Sequence, residues 1–264
     1  MRGLRTAIVA GVLAAAAPAF AGTVNATLST VSPSVTNLSV SFNGGGFENC
    51  YVGQLDWVNN TGTDPLVGSS FSTFCIDGTQ NVYLGGTVTY TVGSLATSPQ
   101  PVDVYPYGMG AERALRLTDF WNKYMSTTTG SVIVPAGYTA NQANAAFQIG
   151  IWEIEYDSPT STTGPINFTP DLYNGNFKLQ TTASSDPSVV LAQSWLTADL
   201  STAGSAYSLY ALQSDTAQDQ VFGVLNPPPV GGEVPVVPLP AALPMGAAML
   251  SGMGLIARLR RRNR

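Results

Sequence analysis

The sequence predicts a mainly β domain, a β-sandwich or a barrel, with a helical subdomain inserted between its strands. The first third of the chain is rich in Ser, Thr and Val, and apolar residues alternate there with polar ones, as in half-buried strands. Further along the chain, helical spacing of apolar residues replaces this alternation. Short strand-like segments return before residue 226, and this β–helical–β order favours the fold class.

Strands are predicted on both sides of the helical part of the domain, which we assign to residues 22–226. The predicted strands are 23–42, 50–58, 70–76, 82–84, 87–92, 206–212 and 221–225. Gly85-Gly86 is expected to form the turn of a hairpin, and Asn59 to Gly68 a loop. A domain of about 205 residues is long enough to bury a hydrophobic core.

Three helices are predicted in the domain, and their starts carry capping signals. They are expected near 111–125, 139–156 and 187–200. Thr139 and Gln142 have the spacing of a capping box at the start of the second helix. Asp186 and Pro187 supply a cap residue and a first-position proline at the start of the third.

The N-terminus is interpreted as a secretory signal peptide, residues 1–21. Arg2 and Arg5 form its charged start, and Ala7 to Ala17 form its apolar part. Ala19-Phe20-Ala21 has the small-x-small pattern of a cleavage site. We therefore expect an exported protein whose mature chain starts at Gly22.

The C-terminus is interpreted as a membrane segment that follows a proline-rich spacer, residues 227–236. Val237 to Ala257 is apolar and about as long as the ~20 residues that span a bilayer. The positive-inside rule keeps a terminal arginine cluster in the cytoplasm and places the domain outside. The cluster consists of Arg258, Arg260, Arg261, Arg262 and Arg264.

Residues 237–264 resemble the VPLPA variant of the PEP-CTERM sorting signal. The motif residues are Val237, Pro238, Leu239, Pro240 and Ala241, and an apolar span and an arginine cluster follow them in that order. The resemblance implies a Gram-negative bacterium that makes extracellular polysaccharide. It also implies recognition by an exosortase, a membrane transpeptidase, after transient anchoring in the inner membrane. The expected location is the outer surface or the extracellular matrix of a biofilm.

The charge of the chain argues against nucleic acid as a partner. Seven of the 11 basic residues lie in the terminal signals and all 16 acidic residues lie between them, so residues 22–236 carry a formal charge of −12. Nucleic-acid binding requires a basic footprint.

The acidic residues after Trp152 are interpreted as a solvated face of the second helix. They are Glu153, Glu155 and Asp157. The other interpretation is a pair of glycosidase carboxyls, which must lie ~5–10 Å apart across a cleft, and a sequence does not show a cleft.

The residue types of the chain also argue against an enzyme. The chain has no histidine, which excludes Ser-His-Asp and Cys-His catalysis and zinc sites that use imidazole. It has no G-x-x-x-x-G-K-[ST] phosphate loop and no EF-hand spacing. We therefore expect no enzymatic activity, no cofactor and no metal site.

Two short motifs carry the candidate chemistry: FCID at 74–77 and AFQIGIWE at 146–153. Together they resemble the thioester domains of bacterial surface adhesins, in which a cysteine sulfur and a glutamine side-chain carbonyl form an internal thioester. By this resemblance Cys75 is the thiol, Gln148 the acyl donor and Trp152 the tryptophan of the helix motif. Phe147 and Gly150 depart from it, because they stand where that family has threonine and alanine.

A thioester makes physical demands that this sequence can meet. A thiolate is the nucleophile, so Cys75 has to lose its proton. Hydrogen-bond donors have to polarise the Gln148 carbonyl, and water has to be excluded, for which Phe74, Phe147 and Trp152 are candidates. The bond could then acylate an amine on a partner surface, and only Lys123 and Lys178 in the domain could compete for it.

Two other states of the cysteines stay open at this point. In an exported protein, two cysteines also suggest a Cys50–Cys75 disulfide, and free thiols are a third reading. The corresponding function is that of a structural or carbohydrate-binding matrix protein without covalent chemistry, with extracellular polysaccharide as its partner. The segment Gln218-Asp219-Gln220-Val221 resembles one that is common near the end of similar exported proteins, and the sequence assigns it no role.

Overall fold

The computed structural model describes most of the predicted domain. The described residues are 22–62, 64–99, 108–158, 168–200 and 204–226, without the side chains of 32–36. The predicted signal peptide at 1–21, the spacer at 227–236 and the sorting signal at 237–264 lie outside these ranges. No helix within the described ranges is long and apolar enough to cross a membrane.

Six antiparallel strands of the described residues close into a barrel. The strands are β1 (Thr23–Phe42), β2 (Glu48–Gly62), β3 (Ser70–Cys75), β4 (Thr87–Ser94), β5 (Phe177–Leu179), β6 (Tyr207–Gln213) and β7 (Gln220–Leu225). The order β2-β3-β7-β6-β4-β1 closes because β1 also pairs with β2. β5 adds a short seventh strand at the end of β1. The predicted mainly β class is therefore confirmed, in its barrel form.

The alternating sequence of β1 explains which side of the strand faces the barrel interior. Val24, Ala26 and Leu28 are buried, whereas the polar residues between them face outward. On that outer face, Asn25 donates a hydrogen bond to the Thr89 hydroxyl at 3.0 Å. A period of two thus separates the apolar and polar sides of the strand, as pleating requires.

The predicted hairpin at 82–84 and 87–92 is only half right. β4 exists, but residues 82–84 form no strand, and β4 pairs with β1 and β6 instead. Gly85, with φ +76°, and Gly86 turn against the backbone of Leu28, where the two N–H···O bonds measure 2.8 and 3.0 Å. Pairing with the long β1 strand replaces the local pairing that the turn residues suggested.

Three helices lie between β4 and β6 along the chain. They are α1 (Gly110–Tyr124), α2 (Ala140–Asp157) and α3 (Pro187–Leu196). Thr139 and Gln142 form both hydrogen bonds of a capping box at the start of α2. α3 starts after Asp186 as expected, but it ends at Leu196 and not at the expected residue 200. The Thr197 hydroxyl, directly after the helix, donates to the Gln193 and Ser194 carbonyls.

α2 is the central helix of the domain. It packs against β1, β2, β3 and β5 of the sheet and against α1 and α3. Every residue from Ala143 to Tyr156 is buried as a result. The expected solvated face of Glu153, Glu155 and Asp157 is therefore wrong: Glu153 and Glu155 are 1% and 0% exposed, because the barrel and the other helices surround their helix.

Candidate functional site

Cys75 and Gln148 meet in the interior of the domain. Cys75 is the last residue of β3, and Gln148 lies in the middle of α2. The Gln148 Oε1 atom accepts a hydrogen bond from the Cys75 backbone N–H at 2.8 Å. Its Nε2 atom donates to the Cys75 carbonyl, also at 2.8 Å. The side-chain amide of one residue thus pairs with the backbone of the other.

The end of the β2–β3 ladder explains this pairing. The ladder ends at Leu55 and Thr73, so β2 no longer bonds to Cys75, while β7 continues on the other edge with Gln220 opposite Cys75. The Gln148 side-chain amide bonds to the Cys75 N–H and carbonyl in place of β2. A buried amide without partners would be costly, and these two bonds satisfy both of its polar atoms.

The backbone of Asp77 holds the Cys75 sulfur from two directions. The Cys75 thiol donates to the Asp77 carbonyl at 3.2 Å, and the Asp77 N–H donates to the sulfur at 3.3 Å. A turn of the chain directly after β3 therefore holds the sulfur.

Asp77, which the sequence analysis did not select, adds a buried carboxylate to this turn. Its Oδ1 atom accepts hydrogen bonds from the N–H and the hydroxyl of Thr79 at 2.8 and 2.7 Å. Its Oδ2 atom is buried without a hydrogen-bond partner among the described residues. Burial raises the Asp77 pKa, and the bonds to Thr79 oppose that shift. Asp77 is thus a proton-accepting group two residues from the thiol.

The segment at 218–221 forms one wall of the site. The Gln218 side chain donates to the carbonyls of Asp77 and Gln80 at 3.0 and 3.1 Å. The Asp219 carbonyl accepts from the Ile76 N–H at 3.1 Å, so this segment extends the sheet beside the turn. Its proximity to Cys75 follows from strand order, which no local sequence pattern reveals.

The surroundings of the Cys75 thiol favour its neutral form. Burial raises the Cys75 pKa well above its usual value, and the Asp77 carboxylate raises it further. Interactions with the Trp152 side chain and the Asp77 backbone N–H lower the pKa in part. The Trp152 indole N–H has no hydrogen bond of ordinary geometry in the described residues, so this interaction with the sulfur is a weak one.

Glu155 is a second buried carboxyl near the thiol, although the sequence analysis expected it to be solvated. Neither of its oxygens has a hydrogen-bond partner among the described residues. Burial raises its pKa well above the usual value, Asp77 raises it further, and Arg113 opposes the shift. Helical spacing places Glu155 two turns after Gln148 on the same side of α2. That relation is visible in the sequence, but its burial is not.

A cleft of about 640 Å³ leads from the surface to the site. Cys75, Gln148 and Trp152 lie among the residues that line it. All three are at most 3% exposed, so they form its inner end. The cleft is therefore a route by which a small nucleophile can reach the buried pair while bulk water has limited access.

Phe74 and Phe147 lie behind the site, away from the cleft. Their ring centroids are 4.9 Å apart, and Phe147 stacks on Phe120 at 5.1 Å. Trp121 of α1 packs against both Phe74 and Phe147. Of the three predicted shielding residues, only Trp152 lines the cleft, while the two phenylalanines form the apolar wall towards α1.

The expected alternative of a Cys50–Cys75 disulfide is wrong for this structure, in which both cysteines are free. Continuing the β2–β3 register would place Gly53 opposite Cys75, which leaves Cys50 three residues further along. At ~3.3 Å per residue that is about 10 Å. A disulfide requires Cα atoms closer than ~7 Å, so the backbone would have to move.

The described residues hold no candidate metal site. No set of three or more Cys, Asp or Glu side chains there is arranged to hold a metal ion. The predicted sorting residues and the terminal arginines lie outside the described residues. Cys75, Gln148 and their neighbours are therefore the candidate site.

Comparisons with known proteins leave the family of this chain open. No family model matches it, and no curated protein matches it. Among solved structures, it is similar to the N-terminal thioester domain of fibronectin-binding protein SfbI from Streptococcus pyogenes, with a TM-score of 0.37 and 16% identity. The alignment covers 76% of this chain and 98% of that one. A similarity of this extent leaves the chemistry to be argued from Cys75 and Gln148 themselves.

Proposed function

We propose that Cys75 and Gln148 form an internal thioester with which an exported surface protein attaches covalently to an amine-bearing partner. The observation that carries this proposal is the pair of 2.8 Å hydrogen bonds between the Gln148 amide and the Cys75 backbone. They fix the acyl carbon beside the residue that bears the nucleophile. Such fixed proximity supplies much of what an unfavourable acyl transfer requires.

Formation of the bond exchanges ammonia for the thiol. The Cys75 sulfur attacks the Gln148 Cδ atom while the S–H proton passes to a nearby acceptor, for which the unpaired Oδ2 of Asp77 is available. The Cys75 N–H already donates to Oε1, where negative charge develops in the tetrahedral intermediate. The C–N bond then breaks, and ammonia leaves with the proton that the thiol lost.

The acidic, lysine-poor domain suits the storage of such an electrophile. Lys123 is on α1 and Lys178 on β5, and neither lines the cleft. The bond is thereby kept from internal amines and held for an external one. Export by the N-terminal signal and sorting by an exosortase at 237–241 would place it on the bacterial surface or in the matrix.

Labelling with methylamine tests whether the site acylates amines. We expect incubation of the full chain with methylamine to add one methylamine at Gln148, read by peptide mass spectrometry. Cys75→Ala should abolish the adduct, because an unactivated amide does not react with dilute amine. Cys50→Ala is the matched control and should still react. Labelling of Cys75→Ala to the same extent would refute the proposal.

A further inference from the structure

The mouth of the cleft carries aromatic side chains that no interaction within the domain requires. Tyr51 and Tyr83 both line the cleft and are 68% and 74% exposed. Large apolar groups that are exposed close together tend to mark binding surfaces, and these two rings line one cleft. Their hydroxyls and flat faces suit a ligand that has both apolar and polar surfaces.

Side-chain amides line the same cleft as these two tyrosines. Asn43, Asn49 and Asn81 line the cleft, and all three are exposed. Their side chains make no hydrogen bond with any other part of the described chain. An amide offers two donors and a two-lone-pair acceptor, which is the complement of neighbouring sugar hydroxyls. The entrance thus offers tyrosine rings for stacking and asparagine amides for hydrogen bonds, as saccharide-binding sites do.

The charge of the cleft selects among saccharides. Glu48 is the one carboxylate among the described residues that line it, and no lysine or arginine is among them. The acidic residues of the domain also far outnumber its basic residues. Uronic or sulfated sugars would be repelled, whereas a protonated amino sugar would be attracted.

We propose that the cleft binds an oligosaccharide of unacetylated hexosamine, and that its amino group is the nucleophile that opens the Cys75–Gln148 thioester. This inference rests on the proposed function and specifies its partner. The sugar chain lies against Tyr51 and Tyr83, and its terminal residue enters towards Gln148. Glu48 attracts the ammonium form at the entrance.

The proposed transfer is balanced without a further reactant. The neutral amine attacks the Gln148 acyl carbon, a C–N bond forms and the C–S bond breaks. The Cys75 thiolate that leaves takes up the proton released by the amine and returns to the thiol. A hexosamine amine suits this step because its neighbouring oxygens make it less basic than lysine, so more of it is neutral near pH 7.

The test compares amines on the full chain. The probes are a β-linked glucosamine tetramer, its fully N-acetylated counterpart, Nα-acetyl-lysine amide and methylamine. Each compound is used at the same molar concentration. Adduct formation at Gln148 is followed by mass spectrometry. We expect the glucosamine tetramer to react about tenfold faster than the lysine compound, and the acetylated tetramer not to react.

Variants at the rim separate binding from the chemistry of the bond. Tyr51→Ala and Tyr83→Ala should each slow the reaction of the glucosamine tetramer several-fold, without changing the rate with methylamine. Leu115→Ala, an exposed apolar residue of α1 outside the cleft, is the control and should change neither rate.

The failure of this inference is distinguishable from failure of the thioester. If methylamine reacts but the tetramer is no faster than the lysine compound, or both tyrosine variants leave the tetramer rate unchanged, the saccharide proposal is overturned and the thioester stands. If methylamine itself gives no adduct at Gln148, both proposals are overturned.

Discussion

At the scale of single residues, two departures from the thioester-domain pattern have one physical cause. Phe147 and Gly150 replace the threonine and alanine of that pattern. The Phe120 ring stacks on Phe147, and a Cβ atom added at Gly150 would overlap with the same ring. A large residue at 147 and the smallest at 150 therefore fit one aromatic neighbour.

Gly150→Ala should destabilise the domain. Alanine is the better helix former by ~1 kcal/mol, but overpacking of a filled core costs ~1–3 kcal/mol. Phe120 is fully buried in the aromatic cluster and has little room to move. We expect a net loss of about 1 kcal/mol in the free energy of unfolding, measured by denaturant titration of the full chain.

A double-mutant cycle identifies the cause of that loss. In a Phe120→Leu background the obstructing ring is absent, so the same Gly150→Ala change should become neutral or stabilising. An equal loss in both backgrounds would mean that the ring is not what excludes the methyl group.

At the scale of elements, α2 combines Gln148, the proposed acyl donor, with two buried carboxyls. Burial raises the Glu153 pKa to about 8 from an ordinary 4.5, and the Asp157 and Asp171 carboxylates add to the shift. A hydrogen bond from the Asp171 N–H at 2.8 Å opposes it. Glu155 is shifted in the same direction. The folded protein therefore retains protons that the unfolded chain releases.

Stability should consequently fall as the pH rises from about 4.5 to about 8. In that window the native state binds more protons than the unfolded state, so each shifted carboxyl lowers the free energy of unfolding by up to ~1.4 kcal/mol per pH unit. Glu153→Gln should flatten the slope, measured by denaturant unfolding across the window. Glu112→Gln on α1 is the control, and equal slopes for the two variants would contradict the assignment.

The elements also show where sequence reasoning succeeds and fails. The start of α2 could be predicted because a capping box is local chemistry between Thr139 and Gln142. The strand expected at 82–84 could not be excluded, because β4 finds its partner in β1, about sixty residues away. The burial of Glu155 was missed for the same reason: which side of a helix is covered depends on elements distant in the sequence.

At the scale of the whole molecule, closure of the barrel assembles the site. Cys75, Gln148 and the segment at 218–221 are far apart in sequence, and they meet because β3 pairs with β7 while α2 crosses the end of the β2–β3 ladder. The two reacting residues could be proposed from short motifs. The burial of Asp77 and Glu155 and the position of Gln218 required the topology, since no local sequence pattern shows which side chains the barrel and the helices cover.

The mass of the intact, unlabelled chain tests the central claim most directly. A Cys75–Gln148 thioester predicts that the full chain, purified without reductant or amine, is lighter than its sequence by one ammonia. The deficit should be absent from Cys75→Ala and retained in Cys50→Ala. A chain of full mass, or one that lacks only two hydrogens and regains them on reduction, would contradict the thioester.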